Sequence, residues 1–76
     1  MNSGKTLKIL RVLRSLTQKQ LGDQLNISQQ AISKMESHTW IDNKAMKKIL
    51  SLLNCSKEEL EQIKKIISKK NNKIRR

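Results

Sequence analysis

A short polar segment in the middle of the chain carries residue types that suit the reading of nucleic-acid bases. Gln can offer a paired donor and acceptor to the edge of adenine, Ser is a small adaptable partner, and Lys can reach guanine acceptors or phosphate. At helical spacing, Ala31, Ile32 and Met35 fall on one side. The rest of the circumference is polar and belongs to Gln29, Gln30, Ser33, Lys34 and Ser37. An ordinary solvated helix face would mix in acids early, whereas the first acid here is Glu36, so we expect a DNA-reading surface.

The net charge of the chain also favours a polyanionic partner. Seventeen Lys and Arg outnumber six Asp and Glu, which gives +11 and an isoelectric point near 10.3. Residues 1–61 hold ten positive and six negative groups, a balance of +4, so the other +7 lies in residues 62–76. Nucleic acid is the usual partner of such a chain, with an anionic membrane surface or a merely solvated tail as alternatives. We expect a domain over residues 1–68 and a flexible basic tail over 69–76.

Helix caps predict the elements that position the polar segment. Four cap residues each have an apolar residue just before them and another four places after them, the pattern of a hydrophobic staple: Thr17, Ser28, Asp42 and Ser56. Gln20 and Glu59 complete capping boxes with Thr17 and Ser56. An apolar stripe that follows Ser3 adds an N-terminal helix. The expected helices cover about 4–14, 18–25, 29–37, 43–53 and 57–69.

Composition favours an all-α fold, a compact bundle of these five helices. Trp40 is the one aromatic residue, so Leu, Ile, Val, Met and Ala must build the core. A lone cysteine, Cys55, and a lone histidine, His38, predict no disulfide, no metal site and no cofactor. Long apolar runs and a signal-peptide block are both missing from the sequence, so we expect a cytoplasmic protein without a membrane partner.

The short link between the second and third helices predicts a tight helix-turn-helix. Asn26 tolerates the left-handed backbone that turns the chain, and Ile27 is expected to plug the core before Ser28 caps the next helix. Gly22 lies in the middle of the second helix, where glycine makes a helix less stable than alanine would. We expect that its missing Cβ lets the third helix cross closely.

These residues resemble a known family. The segment from Thr17 to Glu36, TQKQLGDQLNISQQAISKME, is similar to the helix-turn-helix of phage repressor and Cro-like regulators, which have the lambda-repressor-like fold. The likeness extends from about Leu7 through Leu60. Three residues depart from it: many members have glycine where Asn26 and His38 stand, and basic or small residues where Trp40 stands.

The resemblance implies roles for particular side chains. Gln18 would bind phosphate and support Gln29, while Arg11 and Glu36 would form a largely buried ion pair between the first and third helices. The positions that the family points at bases or at the DNA backbone are Ser28, Gln29, Gln30, Ser33, Lys34, Ser37, Thr39 and Lys44. Trp40 is expected to cap the core beside Ile41, to pack in a dimer interface or to lie against the sugar-phosphate backbone.

A homodimer on a palindromic operator is the expected assembly, because two recognition helices can read two half-sites. Its interface has three candidates: the first helix, the Trp40 loop and the fifth helix. The first helix has more apolar residues than one core stripe needs: Leu7, Ile9, Leu10, Val12 and Leu13. In the fifth helix, Leu60, Ile63, Ile67 and Ile74 could form a short heptad seam, or Leu60, Ile63 and Ile66 could merely close the core.

The leading interpretation is therefore a sequence-specific double-stranded DNA-binding transcriptional regulator, and a repressor rather than an activator. The alternative is an antitoxin-like or other protein-interaction module whose DNA binding is autoregulatory. A third reading, weaker than both, assigns the basic tail to a membrane surface. The sequence has neither a glycine-rich phosphate loop nor a nucleophile with a nearby base, so we expect no enzyme.

Overall fold

The structure is a computed structural model that describes residues 3–38 and 41–75, with side chains up to Ser68. Its helices are α1 (Gly4–Leu13), α2 (Gln18–Leu25), α3 (Gln29–Ser37), α4 (Asn43–Leu52) and α5 (Lys57–Arg75). The all-α prediction is confirmed, and the first four helices begin and end within one residue of their predicted bounds. The backbone of α5 continues six residues past its predicted end, while the division of the chain at residue 68 stays a prediction.

Side-chain caps begin the helices where the sequence predicts them. The Thr17 hydroxyl accepts from Gln20 N at 3.0 Å, and the Gln20 side chain accepts from Thr17 N at 2.8 Å, which completes a capping box. Ser28 caps α3 by accepting from Ala31 N at 3.0 Å. These bonds satisfy backbone donors that have no partner within the helix, so they fix where each helix starts.

Turns of one kind occur in three of the links between helices, α1 to α2, α2 to α3 and α4 to α5. Ser15, Asn26 and Asn54 have left-handed backbones with φ of 58°, 59° and 54°. In each turn the next residue donates its N–H to the carbonyl five residues earlier: Leu16 to Arg11 at 3.1 Å, Ile27 to Gly22 at 2.9 Å, and Cys55 to Leu50 at 2.9 Å. This is the Schellman pattern of helix ends, and a cap residue follows it directly each time. The tight turn predicted at Asn26 is therefore present.

One apolar cluster joins the helices. Its buried members are Leu7, Leu10, Leu21, Ile32, Ile41, Met46, Ile49, Leu53 and Ile63. Along α4, Met46 and Ile49 are buried and Leu50 is half-buried against the cluster, and Leu53, directly after the helix, is buried as well. The expectation that Ile27 plugs the core is wrong, because Ile27 is 38% exposed and closes its turn through its backbone.

The apolar residues of α1 and α5 divide between the core and the surface. Ile63 is buried and Ile67 packs against the core, so this chain itself covers part of the seam proposed for α5. Of the three residues in the other alternative, Ile63 is buried and Leu60 is half-buried, but the part assigned to Ile66 is wrong because Ile66 is exposed. On α1, Val12 and Leu13 are exposed, as the excess of apolar residues predicts. The role of these surfaces in a dimer stays a prediction.

Candidate nucleic-acid interface

The polar face of α3 is presented to solvent. Ile32 is fully buried, and Ala31 and Met35 are half-buried beside it. The opposite face is exposed and consists of Gln29, Gln30, Ser33, Lys34 and Ser37. The amides of both glutamines lie in the first turn of the helix, where a base-reading helix makes its contacts.

The two serines at the ends of α3 use their hydroxyls differently. The Ser28 hydroxyl accepts from Ala31 N, which leaves its own hydrogen to be donated to a phosphate. The Ser37 hydroxyl donates to Ser33 O at 2.8 Å, within its own helix. A phosphate offers only acceptors, so contact from Ser37 requires that internal bond to break.

Glu36 connects three helices near the end of α3. Its Oε2 lies 2.6 Å from Arg11 Nε, and its Oε1 accepts from another Arg11 nitrogen at 3.2 Å. The same Oε1 accepts from Gln18 Nε2 at 3.1 Å. The side chains of Arg11 and Glu36 are only 13% and 5% exposed, so this is the largely buried pair that the resemblance implies. The network holds α3 in one orientation relative to α1 and α2.

Gln18 is directed differently from what the resemblance implies. Its amide nitrogen supports Glu36, in the last part of α3, instead of Gln29 in the first turn. The reason is electrostatic, because a carboxylate is a stronger acceptor than a neutral amide. The phosphate contact of Gln18 stays a prediction.

Both glycines allow backbones to approach closely around α3. Gly4 N donates to His38 O at 2.9 Å, and a Cβ at Gly4 would overlap the carbonyl oxygens of Met35 and Glu36. A Cβ at Gly22 would lie 2.6 Å from Ile27 O, so the close approach predicted there involves the turn before α3. The role of Gly4 was not predicted, although a glycine directly after the helix cap Ser3 is a signal of such a close approach.

Arg14, which no sequence pattern singled out, joins the start of α5 to the end of α1. Its guanidinium donates to both oxygens of Glu59, at 2.7 and 2.6 Å, and to Leu53 O at 2.8 Å. Of the capping box predicted at Ser56, the bond from Glu59 N to the Ser56 hydroxyl is present at 3.1 Å, while the Glu59 carboxylate accepts from Arg14. The hydrogen bond from Arg14 holds the pKa of Glu59 below its usual value, and that bond raises the pKa of Arg14.

The remaining candidate residues are placed as follows. Lys44 is exposed in the first turn of α4, and its backbone N–H donates to Asp42 at 3.1 Å. Thr39 and Trp40 lie outside the described residues.

Cys55 is half-buried, and burial, followed by the charge of Glu59, raises the pKa of its thiol, which keeps it protonated. No group of His, Cys, Asp and Glu that could hold a metal ion occurs among the described residues.

A family model for the helix-turn-helix matches residues 7–60, which include all of α1 through α4 except the first three residues of α1. The chain belongs to the Cro/C1-type helix-turn-helix family. This family consists of DNA-binding transcription regulators and is not typically enzymatic. No curated protein and no solved structure shows significant similarity to the chain. None of the helices in the described residues has both the length and the apolar character needed to cross a bilayer.

Proposed function

We infer that this helix-turn-helix protein binds a specific double-stranded DNA sequence and represses transcription from it. One observation carries this proposal: Gln29 and Gln30 are exposed in the first turn of α3, a helix that Glu36 ties to α1 and α2. A helix held in this way can present both amides to the major groove at a fixed angle. Each amide can then pair with the N6 and N7 groups of an adenine.

The proposal divides base reading from anchoring. Gln29, Gln30, Ser33 and Lys34 would read base edges, because they share the exposed face of α3. Contacts to the DNA backbone would come from residues before, at the ends of and after α3 in the sequence: Gln18, Ser28, Ser37, Thr39 and Lys44. The Ser28 hydroxyl supports this division, since it keeps a hydrogen to donate at the N-terminal end of α3, where the helix dipole attracts phosphate.

The proposed assembly on DNA is a homodimer on a palindromic operator. One domain of this size contacts few base pairs, so two copies are needed for adequate specificity. A two-fold dimer would place two α3 helices about 34 Å apart, one turn of the duplex, in successive major grooves. A dimer bound over a promoter would exclude polymerase, and this exclusion is the proposed basis of repression.

Selection of bound sites from random duplexes tests the proposal most directly. The full chain is incubated with the duplex pool at two salt concentrations, and bound DNA is sequenced over several rounds. We expect enrichment of two inverted half-sites with centres about 10 base pairs apart. The preference for sequence should survive at the higher salt, while total binding falls. Recovery of unenriched DNA at both salts would refute sequence-specific reading.

Repression is tested separately from binding. The enriched site is placed over a promoter, and transcription is measured in a purified system as the protein is added. We expect transcripts to decrease over the concentration range in which the site becomes occupied. An increase in transcripts would leave the DNA-reading role intact and reverse the sign of regulation.

A further inference from the structure

A groove of about 420 Å³ lies between α4 and α5. Two half-buried side chains, Leu50 and Leu60, supply its apolar floor. Three exposed lysines line its edges: Lys44 and Lys47 from α4, and Lys64 from α5. Asn43 completes the lining, which contains no acidic residue. The groove therefore combines apolar contact area with a concentration of positive charge.

These two properties together restrict what can fill the groove. Three lysines without a lining carboxylate favour an anionic ligand. A DNA backbone supplies the negative charge but leaves the two leucines without an apolar partner. An amphipathic peptide with acidic flanks supplies both, since its apolar side chains can cover the floor while its carboxylates reach the lysines.

We propose that the groove between α4 and α5 docks an acidic amphipathic segment of a partner protein. The segment places apolar side chains on Leu50 and Leu60, and it directs carboxylates at Lys47 and Lys64. The choice of partner rests on charge complementarity, because the chain has a net charge of +11 and every charged residue that lines the groove is a lysine.

The site is separate from the base-reading face of α3, but it shares one residue with the proposed DNA contacts. Lys44 lines the groove and also belongs to the residues assigned to the DNA backbone. A docked acidic segment and a phosphate therefore compete for Lys44, so each weakens the binding of the other by the same factor. Lys47 and Lys64 line the groove and are not among the proposed DNA contacts, so they provide the test.

The probe is a fluorescent helical peptide of about 16 residues, with Leu along one face and Glu on both flanks. A second peptide has Ser in place of every Leu and keeps the same charge. Binding to the full chain without DNA is measured by fluorescence anisotropy at physiological salt. We expect the Leu peptide to bind and the Ser peptide to bind much more weakly.

Charge-reversed variants locate the binding. The double variant Lys47→Glu with Lys64→Glu should lower the affinity for the Leu peptide by about tenfold. The matched control, Lys48→Glu with Lys65→Glu, makes the same change of charge on the same two helices at exposed residues outside the groove lining. This control variant should bind the Leu peptide nearly as tightly as the wild-type protein does. Circular dichroism and a thermal melt verify that both double variants keep the helical fold.

Three results would overturn the proposal. Equal losses in the two double variants would mean attraction to overall charge. Equal binding of the Leu and Ser peptides would mean that the apolar floor takes no part. A larger loss of duplex affinity in the groove variant than in its control, with peptide binding unchanged, would assign the groove to DNA.

Discussion

Arg11 Nε lies 2.6 Å from Glu36 Oε2, so a cation of α1 holds a carboxylate of α3 in the interior of the domain. The pair connects residues 25 positions apart in the sequence. Arg11 also donates to Leu16 O at 2.7 Å, in the turn before α2. The Arg11 guanidinium thus contacts both α3 and the turn before α2, and the orientation of the proposed recognition helix α3 depends on it.

Removal of the Glu36 charge should destabilise the protein strongly. Glu36→Gln keeps the size of the side chain but leaves the Arg11 cation, which is 13% exposed, without its counter-charge. We expect the free energy of unfolding to decrease by about 3 kcal/mol, measured by urea denaturation. The control is Asp23→Asn, which breaks the Lys19 pair, where the N···O distance is 3.5 Å and the side chains are 73% and 68% exposed. That change should cost less than about 0.5 kcal/mol, and equal losses would contradict the role assigned to Glu36.

Alanine at position 22 should destabilise the protein, although alanine favours helices. The new Cβ would lie 2.6 Å from Ile27 O, in the turn whose N–H binds Gly22 O. Displacing the turn outweighs the gain in helix propensity, so we expect a net loss of about 1 to 2 kcal/mol in the free energy of unfolding. Gln24→Ala, at an exposed position of the same helix, should change stability by less than about 0.5 kcal/mol. A Gly22→Ala protein as stable as wild type would show that the turn adapts freely.

The Arg14 bond to Glu59 predicts how stability depends on pH. Because the pKa of Glu59 is lowered in the folded state, its stabilising contribution is present above the unfolded pKa and is lost as pH falls through the folded pKa. Glu59→Gln should therefore reduce the loss of stability on acidification, measured by urea denaturation from neutral pH to about pH 2. In an Arg14→Gln background, Glu59→Gln should change the acid dependence much less. The same change in both backgrounds would assign the effect to another partner of Glu59.

Alanine in place of either glutamine of α3 should weaken binding to the selected operator. Gln29→Ala and Gln30→Ala should each cost about 1 to 3 kcal/mol in binding free energy and remove the preference at one base position per half-site. The measurement is a titration against the operator and against its single-base variants. Gln24→Ala, an exposed glutamine of α2, is the matched control and should bind as wild type. Losses that are equal on every sequence would show that the two glutamines only anchor the protein.

Deletion of residues 69–76 should weaken binding to all DNA sequences alike. The deletion removes five positive charges, so fewer counterions are released from the duplex on binding. The slope of log affinity against log salt should become shallower, while the ratio between operator and random duplex should stay unchanged. A loss of sequence preference alone would contradict the separation of anchoring from base reading.

Much of the fold could be predicted from the sequence because its signals are local. Thr17, Ser28 and Asp42 accept hydrogen bonds from residues two or three positions later, so cap and partner are visible in one short stretch of sequence. The same holds for Asn26, whose left-handed backbone turns the chain within a few residues. The exposed face of α3 follows equally from the positions of Ala31, Ile32 and Met35.

The sequence by itself therefore determined the starts of the helices, the turn before α3 and the set of residues on its polar face, since each depends on neighbours within about one helical turn. Three contacts were decided only by the tertiary structure. Gln18 donates to Glu36, Gly4 leaves room for the carbonyl oxygens at the end of α3, and Arg14 binds Glu59 of α5. Those contacts join residues 18 to 45 positions apart, and their partners are set by how the helices pack. No periodicity along one helix specifies which side chain of a distant helix it will meet.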